Sequence, residues 1–158
     1  VCQHGRQRGA IQCGAAQRVD YAQRQHLVGR QTIKQWHQLT LAVEQVNRNI
    51  QLLQPGMTFH DLAHSSWAPP EDEYRHYSVL FHGVGQCDEY PSIPFPSAWD
   101  SSGYDGVLEP GMVMTVEAYV GARSGGHGVK LENQVLITED GHENLSPWTL
   151  GLDRFELL

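Results

Sequence analysis

Two neighbouring stretches decide how this chain folds: Leu108-Glu-Pro-Gly-Met-Val-Met-Thr-Val-Glu-Ala-Tyr-Val120 and Gly128-Val-Lys-Leu-Glu-Asn-Gln-Val-Leu-Ile-Thr138. In the first, Met112, Met114, Val116, Ala118 and Val120 form one apolar face of period two, with Thr115, Glu117 and Tyr119 on the other. That alternation predicts a β-strand that packs one side and offers a carboxylate on the other. In the second, Val129, Leu131, Val135 and Ile137 share a face interrupted only by Asn133, and Lys130, Glu132 and Gln134 point the opposite way. Two such strands side by side would aim Glu117 and Glu132 into one polar cleft. Spacing alone is met equally well by two solvent-facing glutamates on half-exposed strands.

Upstream, Tyr77-Ser-Val-Leu-Phe-His-Gly-Val-Gly-Gln-Cys-Asp-Glu-Tyr-Pro91 sets His82 between an apolar strand and a glycine-rich turn. One imidazole and two carboxylates suit a hard or borderline divalent ion such as iron, manganese, cobalt or zinc.

Read together, the motifs resemble the superfamily of methionine aminopeptidase, aminopeptidase P, prolidase and creatinase, whose fold is called pita-bread. Its second half carries a His-Gly-Xaa-Gly turn, a Leu-Glu-Pro-Gly-Met strand with a ligand glutamate, and a Gly-Val-(Arg/Lys)-(Ile/Leu)-Glu strand. All three occur here in that order, between Leu41 and Ser146. The resemblance implies an α+β fold, the C-terminal half of a pita-bread domain, in which a curved antiparallel sheet is backed by helices. It implies metal ligation by His82, Glu117 and Glu132 within a two-metal site for divalent ions, iron first, with zinc, manganese or cobalt as alternatives. It also implies a small-molecule substrate and a homodimer.

Two departures refine the resemblance. Where the peptidases carry a second histidine in a His-Glu-Xaa-Pro context, this chain reads Asp88-Glu89-Tyr90-Pro91, and Ala118 stands where a proline usually follows the ligand glutamate. Both changes are similar to the dimethylsulfoniopropionate lyases built on this fold. They share His-Gly-Val-Gly-Xaa-Cys-Asp-Glu-Tyr-Pro-Ser-Ile, matched from His82 to Ile93, and Val-Glu-Ala-Tyr-Val-Gly, matched from Val116 to Gly121. The resemblance implies a metal-dependent lyase with Asp88 as catalytic base in a partly desolvated pocket, and Tyr77 as a substrate contact, the alternative being simple packing at a strand start. A sulfonium substrate would favour aromatic faces such as Tyr90, Trp99 or Tyr104. An Xaa-Pro metallopeptidase and a non-catalytic binding domain of the same fold are the other readings. The two aspartates that complete the superfamily's metal site have no match, because upstream of His82 stand only Asp20, Asp61 and Asp72. The chain therefore reads as part of an enzyme and is expected to be inactive alone.

The surrounding chain is read from pattern. Leu39, Val43, Val46, Ile50 and Leu53 recur at steps of four and three, predicting a helix that Pro55-Gly56 stops. Thr58 is placed to cap a short second helix, with Asp61 three residues on. Glu71 to Arg75 is expected to add a helical turn before the Val79–Phe81 strand. His60 and His64 share a helix face at zinc-like spacing, but they and His76, His127 and His142 are read as surface histidines. The run from Pro94 through Trp99 to Gly106 is expected to be a loop crossing the mouth of the cleft, and Glu139-Asp-Gly-His142 a tight hairpin turn.

Cys2, Cys13 and Cys87 are odd in number and lack zinc-like spacing, which favours a reducing cytoplasm; Cys87 is read as a small buried thiol. No apolar run approaches a membrane span, and Val1 to Ala10 has no signal-peptide core. The net charge of −7 divides unevenly: residues 1–40 hold six basic residues and one acid, and the remainder five basic and seventeen acidic. The basic charges are scattered with few aromatics, so no nucleic-acid partner is expected. Residues 1–38 are rich in glutamine and arginine without sustained periodicity, and are expected to be a poorly structured or out-of-frame segment, with the partial catalytic domain at 39–158.

Overall fold

The computed structural model describes residues 33–146. The expectation for residues 1–38 therefore lies largely outside the described residues. Helix α1 (Ile33–Ile50) begins six residues ahead of its predicted stripe, so the regular part of the chain already includes residues 33–38. Leu39, Val43, Val46 and Ile50 are all buried, as the four-three spacing demands. Each such side chain contributes roughly 1.5–3 kcal/mol when removed from water. The helix stops at Ile50 rather than at Pro55-Gly56. Three turn bonds, Gln51 N–H to Arg48 O, Leu52 N–H to Asn49 O and Leu53 N–H to Ile50 O, tighten the chain and carry Leu53 into the core.

Helix α2 (Phe59–Ser65) starts as read. The Thr58 hydroxyl accepts the Asp61 N–H at 3.0 Å and ends one orphan donor of the first turn. Glu71–Arg75 is not a helical turn. Glu73 and Tyr74 N–H both reach Pro70 O in a tight turn, and Tyr74–Arg75 then forms a two-residue strand, β1, paired with Ala122 and Gly121.

The remaining strands are β2 (Val79–Gly83), β3 (Ser92–Pro94), β4 (Val113–Ala122), β5 (Gly128–Ile137) and β6 (His142–Asn144). They form one six-stranded antiparallel sheet in the order β3-β2-β4-β5-β6, with β1 beside the end of β4. Helix α1 lies across β4 and β5, and its stripe joins Met114, Val116, Ala118, Val120, Val129, Leu131, Val135 and Ile137 in a single core. The Glu139–His142 hairpin holds as expected, with Thr138 N–H bonded to Gly141 O and Ile137 paired with His142.

Position 83 shows why a glycine follows His82. A Cβ there would overlap the Tyr90 carbonyl oxygen and meet Pro91 Cδ at 2.5 Å, because β3 doubles back tightly against β2. Gly83 N–H bonds Pro91 O at 2.6 Å across this contact. The His-Gly pair thus joins a metal-competent side chain to the only residue small enough for the return strand.

The stretch from Pro94 to Gly106 is partly ordered, with a 3-10 turn (Pro96–Ala98) and a short helix α3 (Trp99–Ser102). Trp99 and Tyr104 face α2 and β3, and Phe95 stacks on His76. Trp99 lies edge-on to the stacked rings of His60 and His64, and Tyr104 packs edge-on against Phe59, with its hydroxyl accepting the Ser92 N–H at 2.8 Å. His60 and His64 are exposed, as read from sequence.

Candidate metal centre

The β4–β5 ladder sets the site. Glu117 and Glu132 are direct cross-strand partners, so their side chains rise from the same face of the sheet. On the other edge of β4, His82 pairs with Thr115, one alternation away from Glu117. One donor atom from each of His82, Glu117 and Glu132 lies within 4.8 Å of the others. Among the described residues this is the one group of three or more such side chains so placed. Asp61, by contrast, is exposed beside His60, and Asp72 is exposed in the turn before β1.

The polar face of β4 is not open, as alternation suggested. Glu117 is 1% exposed, Thr115 is also buried, and His82 is buried with them. Both faces of this strand are covered, so a carboxylate is held inside the protein. Its surroundings account for its acidity. Burial raises the Glu117 pKa above 4.5, the neighbouring charge of Glu132 adds to the rise, and Lys130 and His82 oppose it without cancelling it.

The histidine is oriented by its own strand. His82 Nδ1 lies 3.0 Å from Gly83 O, and a carbonyl can only accept, so Nδ1 carries a proton and the other ring nitrogen, Nε2, is the one turned to the site. That Nε2 is 3.6 Å from Glu117 Oε2. His82 Nε2 and Glu117 Oε1 are both buried without a hydrogen-bond partner among the described residues. The 3.6 Å contact is to Oε2, which the Lys130 ammonium also approaches at 3.4 Å, so Nε2 and Oε1 are the two buried atoms that a bound cation would satisfy. Ions bound by imidazole and carboxylate at roughly 2.0–2.2 Å bring donors to about the separation of Nε2 and Oε2. The residues present therefore fit a divalent ion.

Lys130, which sequence reading left among the polar-face residues without a role, enters this site. Its ammonium lies 2.6 Å from Glu132 Oε1 and 3.4 Å from Glu117 Oε2. Burial pulls its pKa down, but the hydrogen bond and charge of Glu132, with those of Glu117, outweigh that and raise it above 10.5. The signal was present: Lys130 shares the strand face of Glu132, two residues away. The same ammonium sits 4.6 Å above the ring of Tyr77, which is 52% exposed. Tyr77 is thus neither buried nor idle, and its ring lies 6.4 Å from that of Tyr119.

The turn after His82 departs from expectation in two places. Cys87 is exposed, not a buried thiol. Asp88 is exposed too, rather than in a partly desolvated pocket, and takes a left-handed backbone conformation with φ of 57°. The segment from Gly85 to Tyr90 runs over the surface, where no strand covers it. Tyr90 stacks on Tyr104 with ring centroids 5.7 Å apart.

Comparison with known proteins places this geometry. The sequence profile of metallopeptidase family M24 matches residues 20–139. The dimethylsulfoniopropionate lyase DddP of Roseovarius nubinhibens is 45% identical over 108 residues, covering 68% of this chain and 24% of the lyase. The Xaa-Pro dipeptidase of Pyrococcus furiosus is 34% identical over 124 residues, covering 76% of this chain and 33% of that enzyme. The solved prolidase structure from Pyrococcus furiosus superposes with a TM-score of 0.58 at 32% identity, covering 77% of this chain and 35% of that one. The chain thus spans about a quarter to a third of the length of these relatives. Its fold is part of the pita-bread architecture, in its C-terminal region.

Proposed function

The chain belongs to metallopeptidase family M24, and on that premise we propose that it is part of a metal-dependent lyase cleaving dimethylsulfoniopropionate to dimethyl sulfide and acrylate. What favours elimination over peptide hydrolysis is the higher identity to the dimethylsulfoniopropionate lyases, 45% and 41%, than to the Xaa-Pro dipeptidase, 34%, together with the resemblance of Asp88-Glu89-Tyr90-Pro91 and Glu117-Ala118-Tyr119 to the lyase motifs. His82 Nε2 and the carboxylates of Glu117 and Glu132 would hold the ion, iron before zinc, manganese or cobalt. When bound, such an ion supplies Lewis acidity toward a substrate carboxylate.

The protein's own part is binding and proton transfer. Asp88 takes the proton from the carbon next to the substrate carboxylate. The electron pair left behind forms the carbon–carbon double bond as the adjacent carbon–sulfur bond breaks, and the sulfonium leaves as neutral dimethyl sulfide. Tyr77, whose ring already faces an ammonium, contacts the substrate. Asp88 is exposed in this chain, so the base needs the rest of the protein, or the substrate, to cover it. Three candidate ligands are fewer than a two-metal site requires, and this chain alone is inactive and holds divalent metal weakly.

The test uses a full-length version containing this segment. Headspace dimethyl sulfide from dimethylsulfoniopropionate, with no cleavage of a proline dipeptide, is the expected outcome. Peptide cleavage without dimethyl sulfide would instead support an Xaa-Pro peptidase, the reading that the match to the Pyrococcus furiosus dipeptidase favours. For residues 1–38, translation of the underlying nucleotides in the other two frames tests the out-of-frame reading.

A further inference from the structure

Two carboxylates directly opposed on a β-ladder repel one another, and here one of them is fully buried. Lys130 relieves that repulsion. It rises opposite Tyr119, the pair next to Glu117 and Glu132 on the same face, and its ammonium touches both carboxylates. The compensation is incomplete, because a single ammonium leaves His82 Nε2 and Glu117 Oε1 without hydrogen-bond partners among the described residues. A divalent ion would neutralise both carboxylates and bind the imidazole as well.

Lys130 also has somewhere to go. Its side chain is 38% exposed, and the face of Tyr77 already lies 4.6 Å from the ammonium on the outer side of the pair. A cation over an aromatic face keeps part of its stabilisation without carboxylate contact. Tyr119, half-buried, stands directly across the ladder from Lys130. Its ring lies over Gly121 and Gly128, where a Cβ at Gly128 would overlap the hydroxyl and one at Gly121 would meet the ring at 2.8 Å.

We propose that Lys130 is a tethered counter-ion: it holds Glu117 and Glu132 together in the metal-free protein, competes with a divalent ion for them, and withdraws onto the face of Tyr77 when the ion binds. This rests on the metal-binding reading above. Lys130 is a positioning residue in this scheme, acting through the two glutamates. Tethering makes the competition intramolecular, so it lowers the apparent metal affinity at every protein concentration.

The experiment is Co2+ titration of the whole chain by calorimetry, comparing wild type with Lys130→Met and Lys130→Arg. Removing the charge should tighten Co2+ binding about tenfold or more, the order expected for loss of one competing charge at a half-exposed site, while Lys130→Arg stays close to wild type. Equal or weaker binding by Lys130→Met overturns the competition and leaves the metal reading standing. Absence of Co2+ binding in all three proteins overturns both. If Lys130→Met does not fold, a chain that keeps Lys130 decides. The protein has two lysines, Lys34 and Lys130, so Lys34→Arg leaves a single lysine ammonium signal in 15N NMR. That signal should shift and exchange faster with water on Zn2+ addition; a signal unmoved at Zn2+ saturation overturns the proposal.

Discussion

The β4–β5 ladder and the turn from Gly85 to Tyr90 belong to one functional motif, yet they are held in opposite ways. Glu117 is paired with β5, stands next to the β2 pairing at Val116, has a core of apolar residues beneath it, and is 1% exposed. Asp88 has a single isolated bridge to Gly85, no strand beside it and solvent above. The candidate ligands are therefore set by the fold of this segment alone. The candidate base is set only as far as the direction of its backbone. Side chains that must share an ion need preorganisation to a fraction of an ångström, and a sheet interior supplies it. A base that must meet a substrate is placed on a loop, where other parts of the protein or the ligand complete its surroundings.

The largest effect that would sharpen this contrast is on catalysis. In a complete protein, Asp88→Asn should lower elimination roughly 1000-fold, the range of a lost general base, with metal content unchanged. Asparagine tolerates the left-handed backbone at this position, so the stability of the present chain should change by less than about 0.5 kcal/mol in urea unfolding. Loss of metal together with activity would move Asp88 into the buried half of the comparison.

Next comes the hinge between the two regions. Gly83→Ala places a methyl group against the Tyr90 carbonyl oxygen, and backbone cannot yield as a side-chain tip can. A loss of about 3 kcal/mol in urea unfolding is expected, at the upper end of overpacking costs. Gly128→Ala meets only the Tyr119 ring end, which can swing, so about 1 kcal/mol is expected. Equal costs at the two positions would show that the return strand, and not its side chains, adapts.

The smallest effect is a pH dependence. Burial raises the Glu117 pKa in the folded protein, so the native state binds its proton more tightly than the unfolded chain, whose carboxyl titrates near 4.5. The stability this proton contributes is full below pH 4.5 and is lost as pH rises through the folded value. Urea midpoints of metal-free Glu117→Gln should lack that part of the decline. A parallel decline in wild type and variant would place its cause elsewhere.

Much of the fold was readable because it is local. The helix stripe from Leu39, the Thr58 cap, the hairpin at Glu139–His142 and the alternating faces of β4 and β5 follow from periodicities of 3.6 and two and from short-range hydrogen bonds. The helix boundaries were displaced, with Ile33 as the start and Ile50 as the end, since stripe residues mark the buried face and not the termini. The strand at Tyr74–Arg75 was missed because two residues carry no period, and it exists only by pairing with Gly121 and Ala122. Cys87 was misjudged because a thiol's burial depends on what covers its turn.

For the site, the sequence by itself determined the residue types, their order and the faces they occupy: His82 beside a glycine that must stay small, Glu117 and Glu132 each on the polar side of its strand. Only the tertiary structure decided that these three converge, that Glu117 lies buried with its pKa raised, and that Lys130 bridges the two glutamates. The division has a physical cause. Side-chain direction is a property of the local backbone, whereas register, cover and the field at a carboxylate are sums over strands brought together from as far apart in the chain as Phe81 and Val116.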